Sequence, residues 1–131
     1  MLKVDELMLG NWVRIDGKPF QITQINKKSI PSEVGTYPYE EEDIYPIELT
    51  KDILVNNGME IQSHYHFVMK FERFYNHANK FSMRFCNGAW CVYLNEPDDE
   101  QISYAPNFSC TYVHELQNFF KIKKIDLKIV L

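Results

Sequence analysis

The stretch Lys80-Phe81-Ser82-Met83-Arg84-Phe85-Cys86-Asn87-Gly88-Ala89-Trp90-Cys91-Val92-Tyr93-Leu94 places two alternating runs on either side of an Asn-Gly pair. Asn-Gly is the strongest two-residue hairpin signal, because both central residues of a type I′ turn need φ > 0. The two-residue loop sets the register: Phe85 opposes Trp90, Met83 opposes Val92 and Phe81 opposes Leu94. One face is then wholly apolar, and a slip of one residue would turn six large side chains to water. The other face carries Ser82, Arg84, Cys86, Ala89, Cys91 and Tyr93 and is expected to point outward. This hairpin commits the middle of the chain to an antiparallel sheet.

A second hairpin is written near the start. Asn11-Trp12-Val13-Arg14-Ile15 and Lys18-Pro19-Phe20-Gln21-Ile22-Thr23-Gln24-Ile25 flank Asp16-Gly17, again a type I′ signal. Pairing Ile15 with Lys18 and Val13 with Phe20 gathers Val13, Ile15, Phe20 and Ile22 on a core face, and Pro19 marks the second strand as an edge. Between the hairpins, residues 26–43 show no sustained period, contain Pro31, Gly35 and Pro38, and read as a loop or ribbon with the acidic tip Glu40-Glu41-Glu42-Asp43. A short extended run, Tyr45-Pro46-Ile47-Glu48-Leu49, leads to Thr50 as the cap of a two-turn helix that Gly58 follows. Residues 64–73 read as one strand. Residues 101–109 are ambiguous, with a strand expected around Ile102-Ser103-Tyr104.

Toward the end, Val113, Leu116, Phe119 and Phe120 recur at helical spacing behind Thr111, the expected N-cap. Lys121, Lys123 and Lys124 gather at its C-terminus, where cations suit the helix dipole. Asp126-Leu127-Lys128-Ile129-Val130-Leu131 reads as a final strand. The expected fold is therefore a single α+β domain over residues 1–131: an antiparallel sheet of about five or six strands, a C-terminal helix packed on one face, and a short second helix.

Composition bounds the function classes. The 131 residues are 45% apolar, 24% charged and 15% aromatic, an ordinary globular balance with an aromatic excess that favours strands. A net charge of -4 argues against sequence-independent binding to nucleic acid, which depends on clustered Lys and Arg. Two carboxylates in the first six residues interrupt any signal-peptide core, and three cysteines fit a reducing compartment, so a cytoplasmic protein with free thiols is expected.

Candidate sites are few. Cys86 and Cys91 bracket the hairpin tip, but this register makes them diagonal neighbours about 7–8 Å apart between backbones, too wide for a relaxed disulfide. Zinc would need two more ligands at recognisable spacing, so the pair reads as small half-buried thiols and no metal or cofactor is expected. His64 and His66 share a strand face without a third ligand. Cys110 and His114 sit one helical turn apart without an orienting residue. No Gly-rich phosphate loop occurs, and an enzyme is not expected. Two features suggest binding: the acidic clusters Glu40, Glu41, Glu42, Asp43 and Asp98, Asp99, Glu100, and the helix side formed by His114, Gln117 and Asn118. An alternative uses a basic sheet face, Lys70 and Arg84 with Tyr93, to contact RNA or DNA.

Three segments carry a resemblance. Leu9-Gly10-Asn11-Trp12-Val13, Pro46-Ile47-Glu48-Leu49-Thr50 leading to Asn57-Gly58, and Tyr112-Val113-His114-Glu115-Leu116-Gln117-Asn118 occur here in an order that resembles a group of small uncharacterised phage and prophage proteins. The resemblance implies a mobile-element origin and brings no catalytic residue. By analogy of context it implies a host-protein partner, such as a CRISPR effector nuclease with its guide RNA, inhibited by an anti-CRISPR protein.

Overall fold

The computed structural model of the chain describes residues 6–22, 30–32, 35–37, 44–66, 69–94 and 106–131. Its elements are β1 (Trp12–Ile15), β2 (Lys18–Gln21), β3 (Ile30–Ser32), β4 (Gly35–Tyr37), β5 (Ile44–Pro46), α1 (Lys51–Asn56), β6 (Glu60–His66), β7 (Met69–Asn76), β8 (Phe81–Cys86), β9 (Ala89–Leu94), β10 (Phe108–Cys110) and α2 (Val113–Ile122). The fold is mixed α+β, as expected, with a three-stranded sheet ordered β2-β1-β5, a five-stranded sheet ordered β10-β9-β8-β7-β6, and the ribbon β3-β4. Among the described residues all strand pairings are antiparallel. The backbone divides into two compact units, Met1–Glu48 with Tyr112–Lys123 and Leu131, and Leu49–Thr111 with Lys124–Val130.

In the first unit, Asp16 (φ 52°) and Gly17 (φ 75°) take the left-handed conformation that a type I′ turn requires. The register Val13↔Phe20 and Ile15↔Lys18 follows. Leu7, Val13, Ile15, Ile22 and Ile44 form a buried cluster against which Phe20 packs. Helix α2 packs on β1 and buries Val113, Leu116, Phe119 and Phe120. Its N-cap is Tyr112, one residue later than the expected Thr111. Backbone partners decide this: Tyr112 is held extended by a bridge to Glu48, its N–H donates to Glu115 Oε1 at 3.0 Å, and Val113 N–H donates to Ile47 O at 2.8 Å. The Tyr112 and Val113 amides at the start of α2 thus have partners without a cap hydroxyl.

In the second unit, Thr50 caps α1 as expected, accepting from Ile53 N–H at 3.3 Å. Asn87 (φ 52°) and Gly88 (φ 82°) form the second type I′ turn, and the pairs Phe85↔Trp90, Met83↔Val92 and Phe81↔Leu94 are those the sequence specifies. Two expectations are corrected. Residues 64–73 belong to two strands, β6 and β7, with His66 opposite Met69; no Gly or Asn between them signals a turn, so the sequence has the look of one run. The final strand expected at 126–131 carries no ladder. Instead the Asn57 side-chain amide imitates a neighbouring strand, donating to Val130 O at 3.0 Å and accepting from Val130 N–H at 2.8 Å. The ambiguous 101–109 segment contributes the start of β10 at Phe108–Cys110, and the strand expected at Ile102-Ser103-Tyr104 lies outside the described residues.

Candidate functional site

The polar side of α2 is spent within its own unit. Gln117 Oε1 accepts from Trp12 N–H at 2.8 Å, and Gln117 Nε2 donates to Gly10 O at 2.9 Å. Asn118 Oδ1 accepts from Asn11 Nδ2 at 2.8 Å, while Asn118 Nδ2 donates to Glu6 O at 3.2 Å. Asn11 is completely buried, and its own Oδ1 accepts from Met8 N–H at 2.8 Å. Gly10, at φ 87°, is a position where a side chain would be strained; its carbonyl also accepts from Gln21 Nε2 at 3.1 Å. The Gly10-Asn11-Trp12 segment and the Gln117-Asn118 pair are therefore one hydrogen-bonded unit. His114 is buried, stacks on Tyr112 with centroids 6.1 Å apart, and its Nδ1 has no hydrogen-bond partner among the described residues. Burial pushes its pKa down, opposed by the nearby carboxylates of Glu115 and Glu6.

The acidic clusters Glu40, Glu41, Glu42, Asp43 and Asp98, Asp99, Glu100 lie outside the described residues, as does the side chain of Lys70. The basic sheet face expected to point outward does not: Arg84 and Tyr93 are buried, with Ser82 beside them, and the Arg84 guanidinium lies 4.3 Å from the Tyr93 ring centroid. Arg73, also buried, covers Tyr75 in the same way at 4.5 Å. Alternation identifies the two faces of a strand, but it makes one of them solvent only if a single face is covered. Here Phe81, Met83 and Val92 on one face and Ser82, Arg84 and Tyr93 on the other are all buried.

A site that sequence reading missed lies on the five-stranded sheet. Phe85, placed in the core by alternation, is 59% exposed. Pairing of β7 with β8 runs only from Phe74↔Met83 to Asn76↔Phe81, so the tip of the β8-β9 hairpin extends past the β7 ladder and Phe85 lies beyond its cover. Its ring meets Trp90 at 5.2 Å, and Phe74 meets the same indole edge-on at 5.3 Å. Trp90 is fixed by donating Nε1–H to Leu49 O at 2.9 Å. Lys51, in the first turn of α1, and Glu72, on β7, pair at 3.0 Å and are both part-exposed. Together with Arg84 and Cys86 these residues line an open cleft of about 330 Å³. The cleft offers an aromatic floor and one ion pair, features that suit binding.

Among the described residues no three or more His, Cys, Asp and Glu side chains gather as a metal centre, and no helix is long and apolar enough to cross a membrane. No protein-family model, curated protein or solved structure matches this chain.

Proposed function

We propose that the chain is a non-enzymatic phage-type protein that binds a host protein through the cleft at Phe85, with an RNA-guided nuclease complex as the partner to test first. The observation that carries the reading is the exposed Phe85 ring against buried Trp90, which Phe74 meets edge-on, in a cleft that the Lys51–Glu72 pair also lines. Aromatic anchors at the centre of a concave patch, rimmed by polar groups, are where protein interfaces concentrate their energy. The choice of partner rests on the resemblance of the three motifs to phage proteins and on the acidic balance of the chain, -4 overall, which suits a basic, nucleic-acid-handling surface.

The test is direct. Purified chain is mixed with guide-loaded nuclease and followed by co-elution and by target cleavage; the expectation is a stable complex and inhibited cleavage. Phe85→Ala weakens binding by a hot-spot increment of about 2 kcal/mol or more, some thirty-fold, while far-UV circular dichroism stays unchanged. Tight binding to naked RNA that collapses with added salt, without affinity for protein, is the result that overturns the reading.

A further inference from the structure

The ladder between β7 and β8 ends early. β8 stays paired with β9 as far as Cys86↔Ala89, but its pairing with β7 stops at Phe74↔Met83, although β7 begins at Met69. Carried on, the same register would set Arg73 opposite Arg84 and Glu72 opposite Phe85. Both arginines are buried, and like charges directly opposite each other destabilise a ladder. The cleft opens where the pairing stops, lined by Glu72 and Phe74 from β7 and by Arg84, Phe85 and Cys86 from β8.

Main-chain polarity at this edge follows from the turn. The carbonyl before a type I′ loop accepts from the amide after it, which makes Cys86↔Ala89 a hydrogen-bonded pair. Antiparallel pairs alternate, so Phe85↔Trp90 is a non-hydrogen-bonded pair, and the N–H and C=O of Phe85 point away from β9 toward the β7 side. The ladder partner they would take there is Glu72, and the ladder stops before it. One donor and one acceptor at strand spacing therefore face the cleft beside an exposed aromatic ring.

The geometry points to a strand-addition site: an extended segment of the partner pairs antiparallel with β8 and exchanges both main-chain bonds with Phe85. A large apolar residue of that segment lies opposite Phe85, and the next residue, an acidic one, lies opposite Arg84. The site rests on the reading of the cleft as the binding surface and adds how it is filled. Directly opposed side chains share a face, so the apolar one meets Phe85 and its neighbour Trp90. The carboxylate complements Arg84 at the position where β7, in continued register, brings the like charge of Arg73. In such additions main-chain bonds supply affinity and alternate side chains supply specificity. A cleft of about 330 Å³ is at the small end for a binding pocket and suits one side chain with its backbone rather than the face of a helix.

The probe is a short capped peptide, rich in threonine and valine, with phenylalanine followed by glutamate at its centre. It is titrated into the isotope-labelled full chain and followed by amide chemical shifts and hydrogen exchange. Saturable shifts at Phe74 and at residues 84–90 are expected, with exchange of the Phe85 amide slowed about ten-fold or more at saturation. Methylating the main-chain nitrogen of the peptide's phenylalanine removes one of the two bonds and no side chain, and weakens binding about ten-fold. Lysine in place of the glutamate weakens it about five-fold. A methylated peptide that binds as well as its parent shows side-chain insertion alone; it overturns strand addition and leaves the cleft reading standing. Absence of saturable shifts with every peptide at millimolar concentration also overturns strand addition, and the cleft reading is then decided separately by co-elution with the nuclease and by Phe85→Ala. Protection of Phe85 that grows with protein concentration in the absence of peptide, alongside a dimer in sedimentation, gives the edge to a second copy and overturns the assignment.

Discussion

At the scale of single residues, His114 shows how burial decides chemistry. Its ring is buried on α2, and its pKa is lowered from 6.5 by that burial, with Glu115 and Glu6 opposing. The native state therefore holds the neutral form where the unfolded chain already takes up a proton. Stability is full above the unfolded value and falls as pH drops from there toward the lower native pKa, since the unfolded state binds more protons in that window. Urea midpoints should decrease between pH 7.5 and 5.5, and His114→Leu should flatten that dependence; an unchanged slope removes His114 as its source. Asn118 is constrained differently, because both ends of its amide are matched. Asn118→Ala leaves buried Asn11 Nδ2 without its acceptor and should cost about 1–3 kcal/mol by chemical denaturation. A change below half a kcal/mol on the same scale would return Asn118 to the binding face that its helical position suggests.

Elements were legible where their chemistry is local. Asp16-Gly17 and Asn87-Gly88 specify both type I′ turns and, through them, the register of β1-β2 and β8-β9. The split between β6 and β7 was hidden because no turn residue separates His66 from Met69. Burial of Arg84 and Tyr93 was hidden because it depends on what covers the sheet, not on alternation along a strand. The turn itself gives a clean test of the local part. A Cβ at Gly88 would meet nothing within 4 Å, so Gly88→Ala acts only through its positive φ and should destabilise by about 1–2 kcal/mol. Asn87→Gly, which keeps the turn conformation, should stay within about half a kcal/mol. Both are read from thermal or urea unfolding, and equal effects would mean that the turn does not set the register.

For the whole chain, the largest gap between sequence order and structure is the pairing of its distant segments. Sequence reading grouped the strands into one sheet, because which sheet a strand joins is a non-local choice that alternation does not encode. The structure assigns β1, β2 and β5 to one sheet and β6 to β10 to another. It also builds the first unit from Met1–Glu48 together with Tyr112–Lys123, joined by side-chain bonds across sequence separations of 105 to 112 residues. Two of the motif segments meet here: Gly10-Asn11-Trp12 and Gln117-Asn118 satisfy each other's polar groups. Closing so long a loop has an entropic cost that local helix propensity in α2 cannot offset, so β1 and α2 should form and open as one cooperative piece. Native-state hydrogen exchange tests this. Asn11→Ala should lower protection of Val13 and Ile15 in β1 and of Leu116 and Phe120 in α2 by a common factor, on the order of ten-fold for the loss of its buried bonds. Loss of protection in α2 with β1 unchanged would mean that the helix opens on its own, and that the motif pair holds the helix ends rather than the unit.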